Sequence, residues 1–331
     1  MRSAFAAALL SLPLAALAGA HDAASFRRHS GAVRSSRRSS TNYTLVDKYV
    51  GEDFLNEWQF YDQADPTGGN VNYVSQSAAE SAGLAYVDCN NVTVLAVDDT
   101  SSVASGGNRD SVRISSPKAY NSGLFIGDFG AMPTGCGVWP AFWLVSTVGP
   151  WPAGGEVDII EGVNLATQNQ VTIHTNNTCM LTSNSTATAS VINNDCQSYN
   201  GHDSGCAYLQ DSTETFGAPF NQAGGGVFAL QWTSSAFSFF YFPRDSIPAD
   251  ITSETPDPSS WGEPTADFTV SGCDMASSFF EQAIVFDTTI CGDWAGPSYP
   301  STCPGSCSSI VANATNFADA RWKINSVIVY Q

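Results

Sequence analysis

The chain has 331 residues, of which 43% are hydrophobic and 13% charged, and its formal net charge is −18. This composition is typical of a globular protein and excludes a wholly disordered chain. The negative charge excludes attraction to nucleic acid or to an anionic membrane surface, whereas a neutral polymer is a compatible partner.

The N-terminal region has the pattern of a targeting segment. Residues 1–20 predict a secretory signal peptide, because Arg2 precedes the apolar stretch 4–17 and small residues follow it. Residues 21–40 are basic and rich in serine, and they predict a disordered segment or a pro-segment that is cut after Arg38. No later segment is apolar and long enough to predict a membrane span.

Two further patterns favour secretion into an oxidising compartment. Five glycosylation sequons are present, at Asn42, Asn91, Asn176, Asn184 and Asn313. Nine cysteines are present, at positions 89, 136, 179, 196, 206, 273, 291, 303 and 307. The odd number predicts at least one cysteine that is free or pairs between molecules, and the spacing leaves the connectivity open.

Short apolar or alternating runs, bounded by Gly, Asn, Asp or Ser, recur along the rest of the chain. They predict strands in the segments 42–61, 71–74, 84–87, 92–97, 110–116, 123–127, 171–174, 227–232, 236–242, 283–286 and 324–330. Many short strands without a long helical period predict an all-β sandwich or barrel. We expect a single domain over residues 41–331, since no repeat or linker interrupts it.

The most informative stretch is 154–162, GGEVDIIEG, which predicts a short strand between glycines. Side chains alternate along a strand, so Glu156 and Asp158 share one face and Glu161 would point to the other. One extra residue, inserted as a β-bulge around Ile159-Ile160, would return Glu161 to the first face.

Three carboxylates on one face repel each other, and this repulsion should raise the pKa of at least one of them. Two carboxyls in different protonation states, about 5–5.5 Å apart, are what a retaining glycosidase requires. The alternative is a solvated acidic edge strand. It is disfavoured because apolar residues alternate with the acids, which indicates one face in a core and one face in a cleft.

The stretch 154–162 resembles the signature of glycoside hydrolase family 16, in the form carried by laminarinase-type members. Six further segments, in the same order, resemble fungal members of that family: 110–116, 120–125, 139–143, 242–248, 291–296 and 320–330. The resemblance implies a β-jelly-roll sandwich of two curved antiparallel sheets, with a substrate cleft on its concave face.

The resemblance also implies roles for the three acids. Glu156 corresponds to the nucleophile and Glu161 to the general acid/base, while Asp158 tunes both. Five further residues are candidates for binding the substrate: Trp139, Trp143, Trp151, His174 and Trp294. For Trp139, core packing and sugar binding remain equally open, because tryptophan usually buries most of its surface.

The expected function is that of a secreted retaining endo-β-glucanase that hydrolyses β-1,3- or mixed β-1,3/1,4-glucans. Two alternatives are a cell-wall glucan transglycosylase with the same site and a non-catalytic glucan-binding lectin. We expect a monomer that requires no cofactor, and no pair of histidines has the spacing of metal ligands. Family members often carry a structural calcium on the convex face, but no ligand set for it is identified in this sequence.

Overall fold

Antiparallel strands dominate the computed structural model of the protein, which describes residues 43–182, 186–199 and 201–331. These residues form one compact unit. The predicted signal peptide and pro-segment, together with the sequons at Asn42 and Asn184, lie outside the described residues.

Twenty strands are present in the described ranges. They are β1 Leu45–Tyr49, β2 Gln59–Phe60, β3 Val71–Tyr73, β4 Ala85–Val87, β5 Thr93–Ala96, β6 Arg109–Ser111, β7 Ile114–Tyr120, β8 Gly123–Ala131, β9 Val138–Ser146, β10 Glu156–Glu161, β11 Gln170–His174, β12 Met180–Leu181, β13 Ser190–Asn193, β14 Cys206–Leu209, β15 Gly226–Trp232, β16 Phe237–Pro243, β17 Ala266–Phe268, β18 Val270–Ser271, β19 Gln282–Ile290 and β20 Arg321–Tyr330.

The helices are short and lie in the connections. The α-helices are α1 Asp53–Asn56, α2 Gln76–Ser81, α3 Gly217–Gln222, α4 Ala249–Thr252, α5 Met275–Ser278, α6 Gly292–Ser298 and α7 Cys307–Ile310. Three 3-10 helices span Pro258–Ser260, Tyr299–Ser301 and Ala314–Phe317. Within the part of the chain that the structure describes, no helix has the length and apolarity needed to cross a membrane.

Two large antiparallel sheets organise the fold. The first, which we call the acidic sheet, has the strand order β13-β14-β11-β10-β9-β19-β7-β2. The second, the supporting sheet, has the order β17-β16-β15-β8-β20-β5-β4, and β1 pairs with β20. The strand that carries the three acids, β10, therefore lies near the middle of its sheet. The predicted all-β jelly-roll sandwich is confirmed.

The core is rich in aromatic rings from both sheets. Phe142 of β9 and Phe286 of β19 stack with their ring centroids 4.6 Å apart. Phe129 of β8, from the supporting sheet, meets the Phe142 ring edge-on at 5.2 Å. Because side chains alternate along a strand, burying Phe142 turns Trp143 to the opposite face of the acidic sheet.

The prediction of one strand-like segment over 42–61 is wrong in its middle. Phe54 and Leu55 belong to α1, and both are buried. A strand would send these neighbours to opposite faces, whereas a helical turn keeps both against the core. The turn is supported by Asp53, whose carboxylate accepts a hydrogen bond of 3.0 Å from the Val50 amide.

Eight of the nine cysteines form disulfides: Cys136–Cys303, Cys179–Cys273, Cys196–Cys206 and Cys291–Cys307. Cys89 is free and exposed, which agrees with the odd number. The Cys291–Cys307 bond ties the start of α6 to α7, and α6 carries Trp294. This disulfide therefore braces the segment that carries Trp294.

We expect Phe142→Ala to lower the free energy of unfolding by about 3–5 kcal/mol, because it leaves a cavity beside Phe286 and Phe129. Chemical denaturation followed by tryptophan fluorescence measures the change. Val191→Ala is the control, since that side chain is 50% exposed on β13. A loss below about 1 kcal/mol for Phe142→Ala would contradict the packed core described here.

Candidate active site

The β-bulge predicted in the acidic strand is present. Asp158 of β10 pairs with Thr172 of β11, and Glu161 pairs with Gln170. The chain therefore advances three residues along β10 for two residues along β11. The register against β9 shifts as well, between Asp158 and Ile160. β10 thus has one extra residue relative to each of its two neighbouring strands.

The bulge sorts the side chains of β10 onto two faces. Ile159 and Ile160 are consecutive, yet both lie in the core, with exposures of 1% and 0%. Glu161 consequently returns to the face of Glu156 and Asp158, as predicted. Asp158 is 2% exposed and the two glutamates are partly exposed, so solvent reaches this face of the sheet at Glu156 and Glu161.

Glu156 lies between an indole and an imidazole. The Trp151 indole N–H donates a hydrogen bond of 2.8 Å to Glu156 Oε2. His174 Nε2 lies 3.9 Å from Glu156 Oε1 and 3.4 Å from Asp158 Oδ2. The other imidazole nitrogen, Nδ1, is 3.0 Å from the Ser198 hydroxyl, which orients the ring. His174 is thereby held facing two carboxylates at once.

Glu161 has an indole partner of its own. The Trp139 indole N–H donates a hydrogen bond of 2.9 Å to Glu161 Oε1. The Trp139 ring meets Trp294 of α6 at 90°, with 5.6 Å between ring centroids. The Trp139 side chain therefore belongs to the acid cluster and not to the core, while its role in sugar binding stays a prediction.

A second polar group lies beside Asp158 on the same face. Trp143 pairs with Asp158 across β9 and β10, and the Arg113 guanidinium lies 5.0 Å from the centre of the Trp143 ring. Arg113 Nη1 is 3.4 Å from Asp287 Oδ2. Burial raises the pKa of Asp287 to about 6, while the Arg113 charge opposes that rise. Asp287 is thus a fourth buried acid near the cluster.

Burial is the main reason why the pKa values of the three acids are raised. It raises the pKa of Glu156 to about 8, and the charge of Asp158 adds to the rise. Burial and then the charge of Asp158 also raise the pKa of Glu161 to about 8. The pKa of Asp158 lies well above its usual value, first through burial and then through the charge of Asp287. The cluster therefore retains protons at neutral pH.

Among the described residues, one group of ligand atoms is close enough together to hold a cation. It comprises Glu156, Asp158 and His174, whose ligand atoms lie within 4.8 Å of one another. The raised pKa values of the two carboxyls oppose this use, since a cation must displace their protons before it can bind. These residues also coincide with the acid cluster itself.

All eight residues predicted for the site are brought together, three acids on β10 and five aromatic or imidazole side chains around them. Sequence reasoning missed Arg113, Asp287 and Asn169. Asp287 had a detectable signal, since it follows the apolar run 283–286 at a position where alternation points outward. Arg113 lies in the alternating segment 110–116, which predicts one strand, and the structure places it in the break between β6 and β7.

Comparison with known proteins gives a consistent result. The family model described as "XgeA-like, catalytic GH16 domain" matches residues 58–330. The chain is 42% identical over 311 residues to the probable glycosidase C21B10.07 of Schizosaccharomyces pombe, covering 92% of this chain and 73% of that protein. It is 42% identical over 306 residues to the endo-1,3(4)-beta-glucanase xgeA of Emericella nidulans, covering 88% of this chain but only 48% of the relative.

Solved structures agree in fold and in sequence. The GH16 laminarinase 16A from Phanerochaete chrysosporium, with 6-O-glucosyl-laminaritriose in its donor and acceptor sites, superposes with a TM-score of 0.84 at 41% identity, covering 88% of this chain and 100% of that one. An elongating GH family 16 beta-1,3-glucosyltransferase superposes with a TM-score of 0.82 at 40% identity, covering 87% of this chain and 100% of that one. The family model matches nearly all of the described residues, and the bulged acidic strand and the structural neighbours agree with it. The chain therefore belongs to glycoside hydrolase family 16.

Proposed function

We propose that this protein is a secreted retaining endo-β-glucanase, which cleaves β-1,3- or mixed β-1,3/1,4-glucans through a covalent glycosyl-enzyme. The observation that carries the proposal is the bulge in β10, which gathers Glu156, Asp158 and Glu161 on one face. Relatives named endo-1,3(4)-beta-glucanase, at about 42% identity, support the choice of substrate class.

The proposed reaction takes two displacements. In the first, a carboxylate oxygen of Glu156 bonds to the anomeric carbon while the glycosidic bond breaks, and Glu161 gives its proton to the departing oxygen. In the second, Glu161 takes a proton from water as that water attacks the anomeric carbon and releases Glu156. Each glutamate has one indole partner, so resemblance to the family motif, and not geometry, assigns the two roles.

The protonation states follow from the coupling of the three acids. When one carboxyl of such a cluster ionises, its charge raises the pKa of the others, so the protons leave one at a time. The Trp151 indole N–H and His174 both favour the ionised form of Glu156. With Glu156 ionised, the burial of Glu161 is the main reason why Glu161 retains the proton that the first step requires.

Aromatic faces around the acids would hold the sugar chain. Trp151 is 44% exposed, so its ring is available for stacking while its N–H bonds Glu156. Trp143 and Trp294 border the cluster from β9 and from α6. A neutral glucan suits this surface, since the acidic protein neither attracts nor repels an uncharged polymer.

Transglycosylation is the second candidate, favoured by the structural neighbour described as an elongating beta-1,3-glucosyltransferase. The same covalent intermediate would then react with a sugar hydroxyl instead of water.

Secretion is likewise proposed, supported by the signal-peptide pattern in residues 1–20 and by four disulfides among the described cysteines.

Incubation with laminarin, lichenan, cellulose and xyloglucan, with products sized over time, tests the activity. We expect laminarin or lichenan to be shortened to oligosaccharides that keep the β configuration when first released, as followed by NMR. Products longer than the starting glucan would favour the transglycosylase. Binding of laminarin without any cleavage would instead support the lectin alternative.

Glu156→Ala and Glu161→Ala should each lower the turnover of laminarin by about 10³-fold or more, because each removes one of the two reacting carboxyls. Circular dichroism should show a folded protein in both cases. The control is Glu263→Ala, at an exposed glutamate, which should leave the turnover unchanged. Near-wild-type turnover of either cluster variant would contradict the assignment.

Stability should fall as pH rises from about 4.5 to 8. The folded protein keeps a proton on Glu161, whose pKa is raised to about 8, and unfolding releases this proton. Glu161→Gln removes this carboxyl, so the melting temperature of the variant should exceed that of the wild type at pH 7. The expected rise is about 2–4 °C for each kcal/mol gained in the free energy of unfolding.

Differential scanning calorimetry between pH 4 and pH 8 measures this effect. The difference between wild type and Glu161→Gln should become small towards pH 4, where the carboxyl is mostly protonated in both folded and unfolded states. An equal or lower melting temperature for the variant at pH 7 would mean that this carboxyl is not destabilised by burial.

A further inference from the structure

The bulge in β10 leaves two backbone groups that cannot join a regular ladder, and one side chain bonds both. The Glu161 amide donates a hydrogen bond of 3.0 Å to Asn169 Oδ1. Asn169 Nδ2 donates a hydrogen bond of 2.8 Å to the Ile159 carbonyl. Asn169 directly precedes β11, so its side chain spans the place where the two strands lose register.

The orientation of the Asn169 amide is unambiguous. A backbone N–H can only donate and a carbonyl can only accept, so the Asn169 oxygen must face Glu161 and its nitrogen must face Ile159. The backbone of Asn169 is engaged as well, because its N–H donates to Thr215 Oγ1 at 2.9 Å and its carbonyl accepts from the Gln210 amide at 2.9 Å. The residue is fully buried, and its exposure is 0%.

We propose that Asn169 is the positioning residue for the general acid, a role that rests on the proposed function. It does not touch the reacting atoms. It fixes the backbone of Glu161 on the bulged path, so that the carboxyl stays beside the Trp139 indole and faces the cleft. Without this clamp the bulge can relax towards a regular strand, and a one-residue slip turns a side chain to the opposite face.

The proposal separates two halves of the mechanism. Glu156 lies before the bulge and is held by regular pairing, Glu156 with His174 and with Val145, whereas Glu161 lies after it. Loss of the Asn169 side chain should therefore displace the acid more than the nucleophile. Protonation of the leaving group should suffer, while attack on the anomeric carbon should not.

A substrate with an activated leaving group distinguishes attack on the anomeric carbon from protonation of the leaving group. Dinitrophenolate departs without being protonated, so a 2,4-dinitrophenyl β-laminaribioside tests attack by Glu156 alone, whereas laminarin needs both residues. We expect Asn169→Ala to lower the turnover of laminarin by about 10- to 100-fold, the scale of a misplaced catalytic group. The rate of the initial dinitrophenolate burst should stay at the wild-type value, as it should in Glu161→Ala.

Asn221→Ala is the matched control. Asn221 also accepts from one backbone N–H and donates to one carbonyl, both of Met132, at 2.9 and 2.8 Å. It lies in α3, outside the acid cluster, so its loss should leave both substrates unaffected. If Asn169→Ala does not fold, Asn169→Leu replaces it, because leucine fills a similar volume but offers neither the acceptor for Glu161 nor the donor for Ile159, and the same split is expected.

An equal loss on both substrates, or no loss on laminarin, in a folded Asn169 variant would overturn the proposal. The same holds if Asn221→Ala reproduces the split, since any missing amide would then have the effect. A wild-type protein that releases no dinitrophenolate and cleaves no glucan would instead refute the proposed function, and the inference with it.

Discussion

One extra residue in β10 is the constraint on which the cleft depends. Strand geometry alternates side chains strictly, so three acids separated by one and then two apolar residues cannot share a face of a regular strand. The bulge resolves the conflict by sending both Ile159 and Ile160 into the core. The same distortion removes backbone groups from the ladder, and Asn169, which directly precedes β11, provides their hydrogen-bond partners.

The acid cluster is unfavourable for folding and useful for chemistry. Burying ionisable groups costs free energy unless they bind protons or find partners, and here burial raises the pKa values of both glutamates. The fold tolerates this because the other face of the same sheet packs against a dense aromatic core. An acid that keeps its proton near neutral pH is what glycosidic bond cleavage needs from its proton donor.

The tryptophans around the cluster have two distinct surfaces. The N–H edges of Trp139 and Trp151 each donate a hydrogen bond to one glutamate, while their rings flank the acid cluster. Trp139 comes from the sheet itself and Trp151 from the loop between β9 and β10. Under the proposed function, a sugar that stacks on either ring would lie against a side chain that is already hydrogen-bonded to a glutamate.

The amino-acid sequence alone determined the all-β class, the acidic strand and its need for a bulge, because alternation and turn residues are local properties. By its resemblance to glycoside hydrolase family 16 it also pointed to the five tryptophan and histidine candidates. It could not locate Asp287 or Asn169 in the site, nor α1 within 42–61. Asp287 reaches the cluster because β19 inserts beside β9, and the four disulfide pairings likewise join distant segments. Only the tertiary structure decided these contacts, since they depend on non-local strand pairing, which no local pattern of residues specifies.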